Sequence, residues 1–233
     1  NEVQYDNRYM YEGGDPYLRP TIAHDVSLDV MCNWISFGVE YLYEDNPIIW
    51  YVTLYNHQDI AFMRNVNFSS KQTMTAYVIA APKFDWYQPT WQVFFQKPFF
   101  DAEKYGAPSG LSKPALGITW NNQFKLNSTW TSWVTLHANT TSYNAFRRYR
   151  SGYYASMRMV KTFLDEALTV NFYADDIFRS QKDQWTMYGD HATLTKDSYN
   201  SAREIGVRVV YKFNSGHRKY KGSGAGNAEK SRF

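Results

Sequence analysis

Apolar and polar residues alternate most strictly over residues 203–213. One face of this predicted strand carries five apolar side chains that we expect to face lipid: Ile205, Val207, Val209, Tyr211 and Phe213. Glu204 and Arg208 project from the other face, which we expect to line a lumen. About eleven residues tilted by roughly 40° rise about 28 Å, close to the roughly 25 Å apolar band of a membrane barrel. The pattern predicts a transmembrane strand with lipid on one side and water on the other.

Similar alternation recurs along the chain and predicts about nine antiparallel strands. They cover residues 21–32, 34–43, 71–81, 90–97, 115–126, 128–140, 152–164, 167–176 and 203–213. Short connections at 32–33, 83–89, 126–128 and 164–167 alternate with long ones at 44–70, 98–114, 141–151 and 177–202. Outer-membrane barrels pair short turns with long external loops in this way. The alternation adds three lumen-facing candidates: Asp29, Glu40 and Gln123.

Composition narrows the class of protein. Aromatic residues make up 18% of the chain, while the mean hydropathy is −0.57 and no long apolar run could form a membrane-spanning helix. A polar average with many aromatic residues is typical of barrel strands, but it also fits a soluble carbohydrate-binding β-sandwich. The net charge of +3 gives no support for nucleic-acid binding.

No catalytic constellation is visible, so we expect no enzymatic activity, no cofactor and no metal site. The histidines, His24, His57, His137, His191 and His217, lack metal-ligand spacing, and Cys32 is the single cysteine. Asp175 and Asp176 are adjacent, so within a strand they would face opposite sides. We interpret them as the exit from a strand into a loop.

An odd number of strands has a topological consequence. Nine antiparallel strands could close only with a parallel seam, and an open edge in a membrane leaves backbone groups unpaired at several kcal/mol each. We therefore expect further strands from upstream sequence or from another chain. The chain starts at Asn1 without a methionine or a signal peptide, so we expect a processed product or a fragment.

Three landmarks carry a resemblance to a known family. The run Gly14-Asp-Pro-Tyr-Leu-Arg-Pro20 is similar to the Gly-Asn-Pro-x-Leu-Lys-Pro signature before a late barrel strand, with Asp15 in place of Asn. Residues 168–178 resemble the penultimate strand with its Asp-Ile-Phe end, and residues 203–213 resemble the closing strand. In this order, the landmarks resemble the C-terminal portion of outer-membrane β-barrels of the TonB-dependent transporter type.

The resemblance implies a barrel of about 22 strands with an N-terminal plug, of which this chain would supply the last nine or so. Residues 1–20 would be an outer loop entering the barrel, residues 21–213 the barrel portion, and residues 214–233 a flexible, basic periplasmic tail. The implied partners are outer-membrane lipid and lipopolysaccharide, the missing strands and plug, TonB through that plug, and a surface lipoprotein. The implied location is the outer membrane of a Gram-negative-type bacterium.

The long loops contain the candidates for ligand binding. Aromatic side chains that could stack on sugars or dock a partner are Tyr143, Phe146, Tyr149, Trp185 and Tyr188. Arg147, Arg148 and Arg150 could hold lipopolysaccharide phosphates. Packing of the loops on one another and solvated loop charges are the alternatives. Three functions stay open: import of a bulky nutrient, a scaffolding barrel that docks partners without transport, and a soluble sandwich.

Overall fold

The protein is described here by a computed structural model covering residues 3–56, 60–199 and 201–213. This part of the chain is all-β, with seventeen strands and one 3-10 turn at Glu103–Tyr105. None of its helices is long and apolar enough to span a membrane. The predicted tail at 214–233, His57 and His217 lie outside the described residues.

The strands follow one another in three groups. The first part of the chain contains β1 (Val3–Asn7), β2 (Met10–Gly13), β3 (Ile22–Cys32), β4 (Ile35–Asp45), β5 (Ile48–Leu54), β6 (Ala61–Asn67) and β7 (Ser70–Ala80). The middle contains β8 (Tyr87–Phe99), β9 (Ala115–Lys125), β10 (Trp130–Asn139), β11 (Ser142–Asn144), β12 (Arg147–Tyr149) and β13 (Gly152–Phe163). The last part contains β14 (Leu168–Asp175), β15 (Lys182–Tyr188), β16 (Thr193–Tyr199) and β17 (Glu204–Tyr211).

Nine strands form one antiparallel sheet in the order β17-β14-β13-β10-β9-β8-β7-β4-β3, which we call the wall sheet. It contains a strand for each of the predicted crossings, with ends shifted by a few residues. Pro89, predicted to close a turn, lies inside the thirteen-residue β8. Within the described residues, β3 and β17 each pair on one side only, so the sheet is open.

The two faces of the wall sheet differ in chemistry. Directly paired residues share a face, and one apolar row crosses five strands through Val30, Phe37, Val78, Val93 and Ile118. We call this side the apolar face and the opposite side the polar face. The apolar face stays open to its surroundings: Val26 is 73% exposed and Ile118 54%.

The exposed apolar face excludes the soluble-sandwich alternative. A sandwich buries the apolar face of one sheet against a second sheet about 10 Å away. No described strand covers the apolar face, because the other eight strands lie in two separate sheets of the long connections. An exposed apolar face that extends over several strands needs lipid or another apolar surface to cover it.

The long connections are not the irregular loops that we predicted. Strands β1, β2, β6 and β5 form one four-stranded sheet, and β11, β12, β15 and β16 form another. The prediction of about nine strands is therefore right for the wall sheet and too low for the chain. Runs such as Ile48–Leu54 pair as strands because their β-branched and aromatic side chains find a common core.

That core lies between the long connections rather than inside the wall sheet. Phe146 and Met187 are fully buried and pack with Val52, Phe68 and Phe100. Burial raises the pKa of the neighbouring Tyr51 hydroxyl and the charge of Asp190 raises it further, so this hydroxyl stays protonated and donates to the Tyr105 carbonyl at 2.6 Å. We call this body, formed by the two small sheets and residues 100–114, the cap.

Candidate functional site

The five predicted lumen residues share the polar face of the wall sheet. Asp29 pairs with Gly38, two residues from Glu40 on β4, and Gln123 connects through Trp133 and Arg158 on the same face. Glu204 and Arg208 belong to the same face of β17. The structure therefore places the five on one side, spread across the sheet rather than gathered into one cluster.

Two of these acids are held by tyrosines that lie over glycines. Tyr77 on β7 covers Gly38 and its hydroxyl donates to Asp29 on the far side of that glycine. Tyr173 covers Gly206 in the same way and donates to Glu204 at 2.7 Å. In both places the missing side chain makes room for the ring. The Asp29 and Glu204 carboxylates therefore hold the tyrosine rings in place on the polar face, which leaves them less available to a ligand.

The polar face also contains an open cavity of about 360 Å³ on β8, β9 and β10. Its polar lining comes from amide, hydroxyl and imidazole groups: Gln92, Gln96, Thr119, His137 and Asn139. Thr119 Oγ1 and His137 Nδ1 are 2.9 Å apart, and the His137 ring stacks on Tyr154 at 5.0 Å. This lining contains no carboxylate, ammonium or guanidinium group and suits hydrogen bonding to a polar solute.

Most of the aromatic loop candidates are packing residues. Phe146 is 0% exposed, and its ring centre lies 4.7 Å from that of Tyr51 and 4.9 Å from that of Phe68. Tyr143, Trp185 and Tyr188 pack against the same core. A ligand on the outer surface cannot reach Phe146. The role of this side chain is to pack the long connections against one another.

The arginine candidates separate onto two sides of β12. Arg147 and Tyr149 face the interior of the cap, and Arg147 lies 4.7 Å over the Trp185 ring. Arg148 and Arg150 are exposed. Only the latter two are free to meet a surface partner.

Asp176 organises the last long connection. Strand β14 ends at Asp175, which confirms the predicted strand exit, and Asp176 is 1% exposed. Burial by itself raises the pKa of this carboxyl, but hydrogen bonds from the Ser180 and Gln181 amides and the Tyr199 hydroxyl outweigh it and lower the pKa. The ionised carboxylate therefore ties the start of this connection to its later residues Ser180, Gln181 and Tyr199.

Several notable residues were not found from the sequence. Lys71 and Glu44 form an ion pair at 2.6 Å, and Thr119 bonds to His137. Each pair faces across neighbouring strands, so only the register could have revealed it. Among the described residues, no three histidine, cysteine or acidic side chains lie close enough to hold a metal ion.

Aromatic and apolar side chains also mark the turn end of the wall sheet. Phe84, Trp86, Tyr87 and Phe124 form a stacked group, with Tyr87 and Phe124 ring centres 5.0 Å apart. The five predicted lipid-facing residues from Ile205 to Phe213 are all exposed. Aromatic rings at the ends of an apolar band are typical of barrel strands at membrane interfaces.

The first sequence landmark has a structural explanation. The Asp15 carboxylate accepts the Tyr17 amide at 2.9 Å, which turns the chain before β3. Asn67 then holds Arg19 by both backbone groups, at 2.7 and 2.9 Å. The run therefore leads the chain from the cap into the first strand of the wall sheet.

Comparison with known proteins agrees with this architecture. The pattern of the family described as Outer membrane protein beta-barrel family matches residues 2–211. No curated protein and no solved structure matches the chain. Because the match covers most of the 233 residues, the chain belongs to the outer membrane protein beta-barrel family, whose location is the outer membrane.

Proposed function

We propose that this chain is the C-terminal barrel wall of a TonB-dependent-type receptor that imports a bulky nutrient. The observation that carries the proposal is the polar face of the wall sheet. It runs across nine strands, holds all five predicted lumen residues and contains the hydrogen-bonding cavity of about 360 Å³. A sheet that is apolar outside and polar inside suits a wall around a water-filled passage.

The three landmarks support the receptor type. The strand exit at Asp175 and the alternating β17 lie where a penultimate and a closing strand are expected. The proposal includes about 13 further strands to reach about 22 and a plug inside the barrel. TonB would act through that plug, and no catalytic step, cofactor or resident metal is involved.

The other proposed partners follow from the surfaces. Outer-membrane lipid would cover the apolar face, and lipopolysaccharide phosphates would meet Arg148 and Arg150, which are exposed on the cap. A surface lipoprotein would dock on the cap. The host would be a Gram-negative-type bacterium, with the tail of residues 214–233 in the periplasm.

A scaffolding barrel without transport is the second candidate function. The packed cap favours it, because four connections share one core centred on Phe146 instead of forming separate loops. A preformed body of this kind offers a fixed surface to a partner at low entropic cost.

Identifying the remainder of the native assembly separates these functions. The assembly would be purified in detergent from outer membranes, and the polypeptides that accompany residues 1–233 would be identified by mass spectrometry with mapping of their N-termini. We expect an upstream segment that contains a plug and a TonB-contacting stretch. Barrel strands without a plug, or unrelated subunits alone, would overturn the receptor and favour the scaffold.

A further inference from the structure

A second, smaller cavity of about 140 Å³ lies where the cap meets the wall sheet. Its lining comes from the first residues of β5, from Lys71 at the start of β7, and from Asn144, Arg147 and Tyr149 of the cap. A water molecule occupies about 30 Å³ in the liquid, so the volume is large enough for a carboxylate or a phosphate group.

Arg147 is the unusual residue of this cavity. It pairs with the fully buried Met187, which turns its side chain toward the interior of the cap. Its Nε is buried and has no hydrogen-bond partner among the described residues. The Trp185 ring, 4.7 Å from the guanidinium carbon, supports the group and offers no acceptor oxygen. A buried cationic donor of this kind calls for an anion.

The charges around the cavity leave one positive charge unbalanced. Lys71 is paired with Glu44 at 2.6 Å, and both side chains are largely buried, at 15% and 19% exposed. The lining contains Lys71 and Arg147 but no carboxylate. When Glu44, which lies beside the cavity, is included, the two cations Lys71 and Arg147 are accompanied by one carboxylate.

The location assigns the cavity to the polar side of the wall. Lys71 and Glu44 are directly paired, and Glu44 lies on β4 at even spacing from Glu40 and Gly38, which face the lumen side. Lipopolysaccharide would instead lie outside the wall, with its acyl chains on the apolar face and its phosphates at the exposed Arg148 and Arg150. A solute at the mouth of the lumen can meet Arg147.

We propose that this cavity binds one oxyanion of a small solute, a carboxylate or a phosphate, through the guanidinium of Arg147 and the ammonium of Lys71. The planar guanidinium presents its two terminal nitrogens side by side, which fits two oxygens of either group, while the buried Nε adds to the desolvation of the charge. The Lys71 ammonium adds a point charge from the wall sheet. The proposal concerns binding and does not depend on transport.

Anion binding to the detergent-purified native assembly tests the site. Inorganic phosphate and acetate would be titrated separately against the assembly at constant ionic strength set with chloride, with binding followed by calorimetry and, for phosphate, by ³¹P line broadening. Saturable binding of either anion is expected, and the two titrations show which oxyanion the cavity prefers. If neither binds better than chloride, the proposal is overturned.

Matched variants separate the cavity from general surface charge. Arg147→Met should raise the apparent dissociation constant at least tenfold while its methylenes still pack on Trp185. Arg148→Met, the exposed neighbour on the other side of β12, should change it less than twofold. Equal weakening by both variants would mean non-specific attraction and would overturn the site.

A variant that should tighten anion binding distinguishes loss of the site from a folding defect of Arg147→Met. Glu44→Gln keeps the shape of the side chain and removes the competing carboxylate from Lys71, so anion binding should tighten several-fold. Unchanged or weaker binding in this variant would contradict the role of Lys71. Absence of a plug in the mass-spectrometric test would reject the receptor but leave this binding result standing.

Discussion

Phe146 has a structural role that its position in the sequence does not show. It was a candidate for ligand stacking, yet its ring lies among Tyr51, Phe68 and Phe100, which come from two other connections. The apolar partners of a loop residue lie far away in the chain, so exposure could not be inferred from local pattern. The other aromatic candidates turned inward for the same reason.

Replacing Phe146 by alanine should therefore loosen the cap. Removal of a fully buried phenylalanine costs about 3–5 kcal/mol through lost burial and the cavity left behind. We expect faster limited proteolysis within residues 44–70 and 177–202, while the wall strands stay protected. Phe178→Ala, at a side chain that is 63% exposed, is the control and should leave the digestion rate unchanged.

The tyrosine that lies over Gly38 predicts a coupled pair of mutations. A Cβ atom at Gly38 would overlap the Tyr77 ring, so Gly38→Ala should displace the ring and break its bond to Asp29. The expected loss is about 1–3 kcal/mol, as for other overpacked sites. Urea unfolding of the lipid-embedded assembly would measure it.

Two comparisons decide whether the ring is the cause. Gly117→Ala, where the nearest atom to an added Cβ is 4.0 Å away, should be nearly neutral. The double variant Gly38→Ala/Tyr77→Ala should lose less stability than the sum of the two single variants. Strict additivity would show that the ring and the glycine are independent.

Asp176 predicts a pH dependence of the cap. Its folded pKa is lowered, so the stabilisation is complete above the unfolded value of about 3.9 and is lost as the pH falls through the lower folded value. The proteolysis rate of residues 177–202 should therefore rise below about pH 4. Asp176→Asn should remove this pH-dependent part, whereas the exposed Asp197→Asn should keep it.

At the scale of the strand, β8 offers the sharpest test of the two faces. Val93 is the central residue of Tyr87–Phe99 and lies on the apolar face, while its neighbour Gln92 lines the polar cavity. Arginine on the lipid side at mid-membrane costs about 2–4 kcal/mol. Val93→Arg should lower the stability of the lipid-embedded assembly in urea by about this amount.

Gln92→Arg is the matched control for that substitution. The same charge placed one residue away lies on the polar face, which we expect to line a lumen, so its effect on stability should stay below about 1 kcal/mol. Similar losses for both variants would mean that β8 does not separate lipid from water.

The strands show what could be read from the sequence. Each wall strand carries a period of two over eight to thirteen residues, so β17 and even the less regular β7 and β13 could be placed. The cap strands β11 and β12 have only three residues each, too few for a period. Pro89 misled the turn assignment, because a proline whose amide is not needed can remain within a strand.

The candidate site was predictable only in part. Alternation placed Asp29, Glu40, Gln123, Glu204 and Arg208 on one face, since period alone decides the face. The cavity at Arg147 depends on β12 meeting β5 and β7, which are far apart in sequence. Contacts between strands that are far apart in the chain leave no recognisable pattern in a single sequence.

For the whole molecule, the cap and the short turns should lie on opposite sides of the outer membrane. In a Cys32→Ala background, Thr193→Cys in the cap should react with an impermeant maleimide in intact cells. Ser128→Cys, in the short turn between β9 and β10, should react only after the outer membrane is permeabilised. The reverse pattern of labelling would invert the orientation of the wall sheet.

The shared core of the cap also sets an order of events during biogenesis. Its buried side chains include Val52, Phe100, Phe146 and Met187, one from each of the four long connections. No single hairpin can complete that core, so the core can close only when all four connections are in place. We therefore expect the cap core to form late in assembly. Its apolar residues would stay exposed until then, which would make the nascent protein most vulnerable to aggregation just before assembly ends.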